Sequence, residues 1–281
     1  MATTDVLGAR EVAELLERHG LDARKSLGQN FVADPNTVMR IARLAGVGPG
    51  DHVVEVGPGL GSLTLALADT GASVLAVEKD GALVPVLHEV LEAHGAGSVR
   101  VVEADALQMD WGDLLGGAAP WVLVANLPYN VAVPIIMSVL EDAPTVQRLV
   151  VMVQKEVADR LVAGPGGRTV GIPSMRVAWY AEAELLGTVP PEVFVPRPRV
   201  TSALVGMTRR PPPTDELGPD DVFPLVGTAY RQRRKMLRST LGRQVPAAAF
   251  ASAGVEPTAR PEELSVQQWA ALAIAVRECR T

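Results

Sequence analysis

Residues 121 to 130 read WVLVANLPYN, a run of Val and Leu that stops at an amide, a proline and a phenol. Pro128 has no N–H to give to a ladder, so it marks the end of a strand that delivers Asn126 and Tyr129 to a rim. These residue types suit transfer of a methyl group to the exocyclic amine of adenine. The lone pair of that nitrogen is delocalised into the ring, so acceptors must hold its hydrogens and favour a tetrahedral nitrogen. The Asn126 side-chain oxygen and the Leu127 carbonyl can supply two such acceptors. Pro128 fixes the turn so that this carbonyl points inward, and Tyr129 offers a ring on which an extruded base stacks. A strong general base is unnecessary, because the amine becomes acidic once methylated; catalysis is mostly positioning.

A methyl donor needs its own pocket, and the strand HVVEV (52 to 56) runs into the turn EVGPGLGS. Gly57, Gly59 and Gly61 stand two apart, which lets the backbone turn tightly and approach a ligand. A dinucleotide fold spaces its last glycine one position further on. The shorter spacing suits S-adenosylmethionine, which has no pyrophosphate to cradle. Glu78 ends the next strand about twenty residues beyond the turn, where an acid pairs with ribose hydroxyls. Asp105 ends the third strand and is placed to accept from an adenine amino group. His19, His52, His88 and His94 make no metal spacing and adjoin no serine or cysteine nucleophile, so neither a metal nor a covalent intermediate is expected.

These residues need a sheet edge, and the chain supplies one. An amphipathic helix over 10 to 21 and a loop over 24 to 35 precede a helix, then strands alternate with helices: 52 to 56, 73 to 78, 99 to 105, 121 to 126 and 148 to 153. That alternation predicts parallel βαβ units in a doubly wound sheet. PPPTDE, after Arg210, reads as a linker to a helical remainder. The expectation is a domain over 1–210 and a small all-α domain over 211–281.

The composition fits a globular chain, with 281 residues, 48% hydrophobic and 21% charged. The longest apolar runs are too short to span a bilayer, acids among the first residues fit no targeting peptide, and Cys279 alone allows no internal disulfide. The cytoplasm is the expected compartment. Net charge is −6, yet residues 187–243 hold ten Arg or Lys against five Asp or Glu, a local +5 that leaves −11 elsewhere. Phosphates are met by a face, so this asymmetry points to a nucleic acid.

Taken together, LGQNFVADP, VEVGPGLGSLT, NLPYN, VQKEVADRLVAGPG, FVPRPRVTSA and QRRKMLRSTLG resemble, in order and over nearly the whole chain, the ribosomal RNA adenine dimethyltransferase family. The likeness is specifically to its small-subunit members, which dimethylate two adjacent adenosines near the 3′ end. The resemblance implies a Rossmann-like class I S-adenosylmethionine-dependent methyltransferase fold with a small C-terminal helical domain. Asn30, Val32, Gly57, Gly59, Glu78, Asp105 and Asn126 would line the donor site, and Phe194 would close on the base opposite Tyr129. The partner implied is the small ribosomal subunit through its rRNA, met by a monomer, with no membrane involved. Departures are mild: Leu27 stands where Phe is common, Val32 where Leu is common, and Val170-Gly171 replaces a Tyr-Gly pair.

The stretch AYRQRRKMLRSTLG (229 to 242) predicts a helix. At 100° per residue, Val226, Tyr230, Leu237 and Leu241 form an inward stripe, and Arg231, Arg234, Lys235 and Arg238 a neighbouring outward row suited to a phosphate backbone. Arg233 falls on the apolar side and would need a partner there. The rival functions are a macrolide-resistance methylase of large-subunit rRNA, a DNA adenine methylase, a non-catalytic rRNA-binding assembly factor and an NAD-dependent oxidoreductase. The QRRK stretch favours small-subunit rRNA, an intact acid and Asn-Pro-Tyr set argues against a binding factor, and the glycine spacing disfavours NAD.

Overall fold

The computed structural model describes residues 6–21, 29–117 and 119–280; Leu27 lies outside them. The chain divides into two compact units, one taking residues up to Ala158 together with Glu184–Arg209, the other Asp159–Ala183 and everything from Arg210 onward.

In the first unit, α1 (Ala9–Arg18), β1 (Phe31–Val32) and α2 (Pro35–Ala45) lead into a run of alternating elements. These are β2 (His52–Val56), α3 (Ser62–Ala68), β3 (Ser73–Glu78), α4 (Val84–Ala93), β4 (Arg100–Glu103), α5 (Trp111–Leu115), β5 (Trp121–Asn126), α6 (Ala132–Asp142) and β6 (Val146–Gln154). Sequence chemistry marks the joints. Asp34 caps α2 by accepting from Thr37 N, Pro35 opens it, and Gly46 closes it in the left-handed conformation. β2, β3 and β5 are nearly continuous Val/Leu runs because helices cover both faces of a parallel sheet.

α7 (Lys155–Leu161) and α8 (Ile172–Tyr180) follow, then β7 (Ala181–Val189), β8 (Phe194–Val195) and β9 (Ser202–Arg209). The seven-stranded sheet has the order β4-β3-β2-β5-β6-β9-β7. Its β2–β3, β3–β4, β2–β5 and β5–β6 pairs are parallel, and β9 joins β6 antiparallel. β2 therefore feeds β3 on one side and meets β5 on the other, the switch point outside whose carboxyl end such sheets bind ligands. Arg209 closes the far side. Its guanidinium donates to the carbonyls of Val146, Leu140, Val139 and Ala143 at 2.9–3.2 Å, satisfying the end of α6.

The second unit is helical: α8, then α9 (Pro219–Tyr230), α10 (Leu237–Leu241), α11 (Ala247–Ser252) and α12 (Val266–Glu278). Its core gathers Val226, Leu237, Leu241, Phe250, Trp269 and Leu272 with Val170, Met175 and Trp179. That last trio explains why Asp159–Ala183, read from sequence as part of the larger domain, packs with the smaller unit instead. Val170, the departure from the usual Tyr, is fully buried there.

The basic stretch departs from the continuous helix expected of it. α9 ends at Tyr230, residues 231–236 turn, and Met236 is extended. The amides of Leu237 and Arg238 donate to the carbonyls of Ala259 and Pro257, which takes them out of the helical ladder. Val226, Leu237 and Leu241 still point inward, while Arg231, Arg234, Lys235 and Arg238 are all exposed, though not in one helical row. Arg233 has its partner: its guanidinium donates to Arg168 O at 2.8 Å and lies 3.6 Å from Glu262. Among the described residues no helix is long and apolar enough to cross a membrane.

Candidate active site

The turn after β2 is built on backbone that favours glycine. Gly57 and Gly59 have φ of 72° and 58°, and a Cβ on Gly59 would stand 2.9 Å from the Phe31 ring. With no side chain there, Gly59 N reaches Glu78 Oε2 at 3.0 Å, and Asp80 N reaches Oε1 at 2.8 Å. Glu78 is 6% exposed, and burial pushes its carboxyl above the ordinary range although these amides oppose the shift. Each oxygen keeps lone-pair capacity for a hydroxyl. Asp105 follows β4, paired with Lys79 at 2.7 Å and accepting from Leu107 N. The Lys79 ammonium, foremost, holds its carboxyl below the usual range.

Across the switch point, Asn126 ends β5. Its Nδ2 donates to the carbonyl of Asn30 at 2.9 Å, so the amide is held by its nitrogen and its oxygen remains as an acceptor. Pro128 packs toward the turn, 3.6 Å from where a Gly57 Cβ would be. The Tyr129 hydroxyl shares a 2.6 Å hydrogen bond with Ser202 Oγ on β9, which fixes the ring at its far end. Burial raises the phenol's pKa, with Ser202 opposing.

One cavity joins these groups. Asn30, Val32, Gly57, Gly59, Glu78, Asp105, Asn126, Leu127, Pro128 and Tyr129 all line it, and so do Gln29, Glu55, Ser62 and Lys79. Phe194 does not. It is 2% exposed in β8, whose two residues pair antiparallel with β1, Val32 opposite Phe194 and Phe31 opposite Val195. In this conformation it offers no ring face to a base; its side chain belongs to the core and its strand braces the cavity's Asn30–Val32 wall. Arg231, Arg234, Lys235 and Arg238 belong to the second unit. Sequence reading missed Ser202, whose role rests on a contact 73 residues away, and Lys79, which could have been suspected as the neighbour of Glu78. It also missed Glu55, an acid in the middle of a Val run.

Comparison with known proteins shows the family and the fold. The family model described as ribosomal RNA adenine dimethylase matches residues 20–278. A protein of Kineococcus radiotolerans called ribosomal RNA small subunit methyltransferase A is 50% identical over 97% of this chain and 92% of its own. One of the same name from Cutibacterium acnes is 47% identical over 95% of this chain and 93% of its own. Among solved structures, the 23S rRNA methyltransferase ErmE is 29% identical, covering 88% of this chain and 100% of its own, with a TM-score of 0.67. A dimethyladenosine transferase from Plasmodium falciparum, 20% identical over 87% of this chain and 96% of its own, shares the fold at a TM-score of 0.74. Matched by that family model over nearly its whole length, the chain belongs to the ribosomal RNA adenine dimethylases.

Proposed function

We propose that the protein dimethylates the exocyclic amino groups of two adjacent adenosines in the 3′-terminal hairpin of small-subunit rRNA, using S-adenosylmethionine, during assembly of that subunit. The observation that carries this reading is the Asn126 amide, fixed by Asn30 O so that its oxygen is left to accept from a base amine beside the glycine turn.

The cavity's residues fit the donor: two left-handed glycines, at the second of which a Cβ would intrude on Phe31, a buried acid, and Asp105 on the neighbouring strand end. Glu78 would hold the ribose hydroxyls and Asp105 the adenine amino group, with Asn30, Val32 and Gly57 around them. Bound there, the donor supplies an electrophilic methyl group. Asn126 and the Leu127 carbonyl hold the amine's hydrogens, and the Tyr129 ring, tied to Ser202, stacks on the base. Once methylated, the nitrogen loses its extra proton to water without a dedicated base. The exposed Arg231, Arg234, Lys235 and Arg238 meet rRNA phosphates. The protein acts as a monomer in the cytoplasm, independent of a metal.

The second reading, methylation of large-subunit rRNA, is favoured by the likeness to ErmE. Identities of 47–50% to relatives named for the small subunit, against 29%, support the first. The test is methyl transfer to purified small and large subunits from cells lacking these modifications, with the products mapped by mass spectrometry. Two dimethyladenosines in small-subunit rRNA are expected. Methylation confined to the large subunit, or none on either, overturns the reading.

A further inference from the structure

Residues 29–33 run along the carboxyl edge of the sheet and meet three strand ends. Gln29 Nε2 donates to Asp80 Oδ2 at 2.9 Å, two residues past the end of β3. The Phe31 ring packs on Gly59 in the turn after β2, where a Cβ would stand 2.9 Å away. Asn30 O accepts from Asn126 at the end of β5. Ala33 N, donating to Val193 O at 2.8 Å, ties the far end of the segment to the residue before β8.

Asp80 is 6% exposed and is not among the residues that line the cavity of the glycine turn. Its carboxylate divides its two oxygens between two tasks. Oδ1 accepts from Ala82 N at 3.2 Å, the local turn that an aspartate makes ahead of a helix. Oδ2 accepts from Gln29, 51 residues away along the chain. The turn needs only the first oxygen. The second makes a charge-assisted bond to a distant segment, and such a bond holds that segment down.

The bonds form a chain from one half of the site to the other. Glu78 Oε1 accepts from Asp80 N, Asp80 Oδ2 accepts from Gln29, and one residue on, Asn30 O accepts from Asn126 Nδ2. Asn30 lies between the clasp at Gln29 and the β1–β8 pairing that begins at Phe31, so its carbonyl is held from both sides. With that carbonyl in place, the Asn126 amide has one favoured orientation, nitrogen to Asn30 and oxygen to the base. With it displaced, the amide is free to turn its nitrogen toward the incoming amine, donor against donor. We infer that Asp80 is a positioning residue for methyl transfer: by clasping Gln29 it holds Asn30 O, and through it the reactive orientation of Asn126. The inference rests on the acceptor role proposed for Asn126.

Methyl transfer to unmethylated small subunits, measured at saturating S-adenosylmethionine, separates kcat from donor affinity. Asp80→Ala should lower kcat by about ten- to a hundredfold, the cost of a misplaced reacting group. In an Asn126→Ala background the same change should lower it by less than about twofold, because the group that Asp80 positions is already gone. Asp80→Asn, whose amide and that of Gln29 can exchange donor and acceptor roles, should stay within about threefold of wild type. A residue that only stabilised its own turn would cost the same factor in both backgrounds. An unchanged kcat in Asp80→Ala, a loss confined to KM, an equal fall in both backgrounds, or Asp80→Asn as impaired as the alanine variant overturns the proposal. Should Asp80→Ala not fold, Gln29→Ala breaks the clasp from its other side, and the same cycle with Asn126→Ala decides. If the wild type methylates no subunit, the functional reading falls and this inference falls with it.

Discussion

Asn126 makes one bond through its nitrogen and leaves its oxygen to accept a second, which is what an amide can do. The nitrogen donates across to Asn30 O, and the oxygen is thereby presented as an acceptor. An aspartate could not donate, and an alanine could do neither. Asn126→Ala should remove one preorganised transition-state interaction, worth roughly 2.7–4 kcal/mol or a hundredfold to a thousandfold in rate. Its thermal stability should change little, since the residue is only partly buried. A rate within a few fold of wild type on small-subunit rRNA would sink the acceptor role. Glu78 presents a different case. Its oxygens already accept from Gly59 N and Asp80 N, so the acid shapes the glycine turn as well as offering itself to a ligand.

The β1–β8 ribbon joins segments more than 160 residues apart in the chain, holding the Asn30–Val32 wall against Phe194–Val195. Phe194 is core here, whereas Tyr129 lines the cavity, as Phe31 does. Phe194→Ala should therefore cost roughly 3–5 kcal/mol of stability, seen as an earlier thermal transition. Tyr129→Ala should lower turnover by about 1–3 kcal/mol of forfeited stacking with cofactor affinity unchanged. If Phe194→Ala instead melts like wild type and loses turnover, its ring reaches the base. In the second unit, the turn at 231–236 scatters the exposed cations over a corner instead of aligning them along a helix. Meeting phosphates does not demand a row. Arg234→Ala with Lys235→Ala should weaken subunit binding and lower the salt slope by about one for each phosphate no longer neutralised, with cofactor affinity unaltered. Wild-type affinity and slope in that double variant would leave the corner as ordinary solvated surface.

For the molecule as a whole, a buried acid links stability to pH. Glu55 is pushed from its ordinary 4.5 to about 8 on folding, so the native state holds a proton that the unfolded chain has already released. Below about 4.5 Glu55 is neutral in both states. As pH rises from there to about 8, its contribution to the stability of the empty protein falls, and above that it falls no further. Glu55→Gln removes this dependence. The difference between variant and wild-type melting temperatures should widen in the variant's favour from pH 5 to pH 8 and then level off. A constant difference across that range would mean that Glu55 is ionised throughout. Charge is also unevenly distributed: +5 within residues 187–243 lies in a chain of net −6, so ionic strength should act on subunit binding far more than on cofactor binding.

How much of this was legible without coordinates differs from residue to residue. The strands at 52 to 56, 73 to 78 and 121 to 126 are bounded as the sequence implies, because a short Val/Leu run ended by glycine or proline has few other uses. Once those strands are parallel, sheet order brings Gly57, Glu78 and Asn126 to one edge, and their chemistry follows from residue type. What pairs with them was not legible. Asn30 holds Asn126 from 96 residues away, Ser202 holds Tyr129 from 73, and Phe194 faces Val32 across a two-residue ribbon that no local pattern announces. The basic stretch has a good helical period, yet the carbonyls of Pro257 and Ala259 take the amides of Arg238 and Leu237 and break it. Periodicity reports which face of a segment is apolar; which distant donor or acceptor it meets is decided only when each unit folds, since a backbone amide bonds as readily to a distant carbonyl as to its own helix.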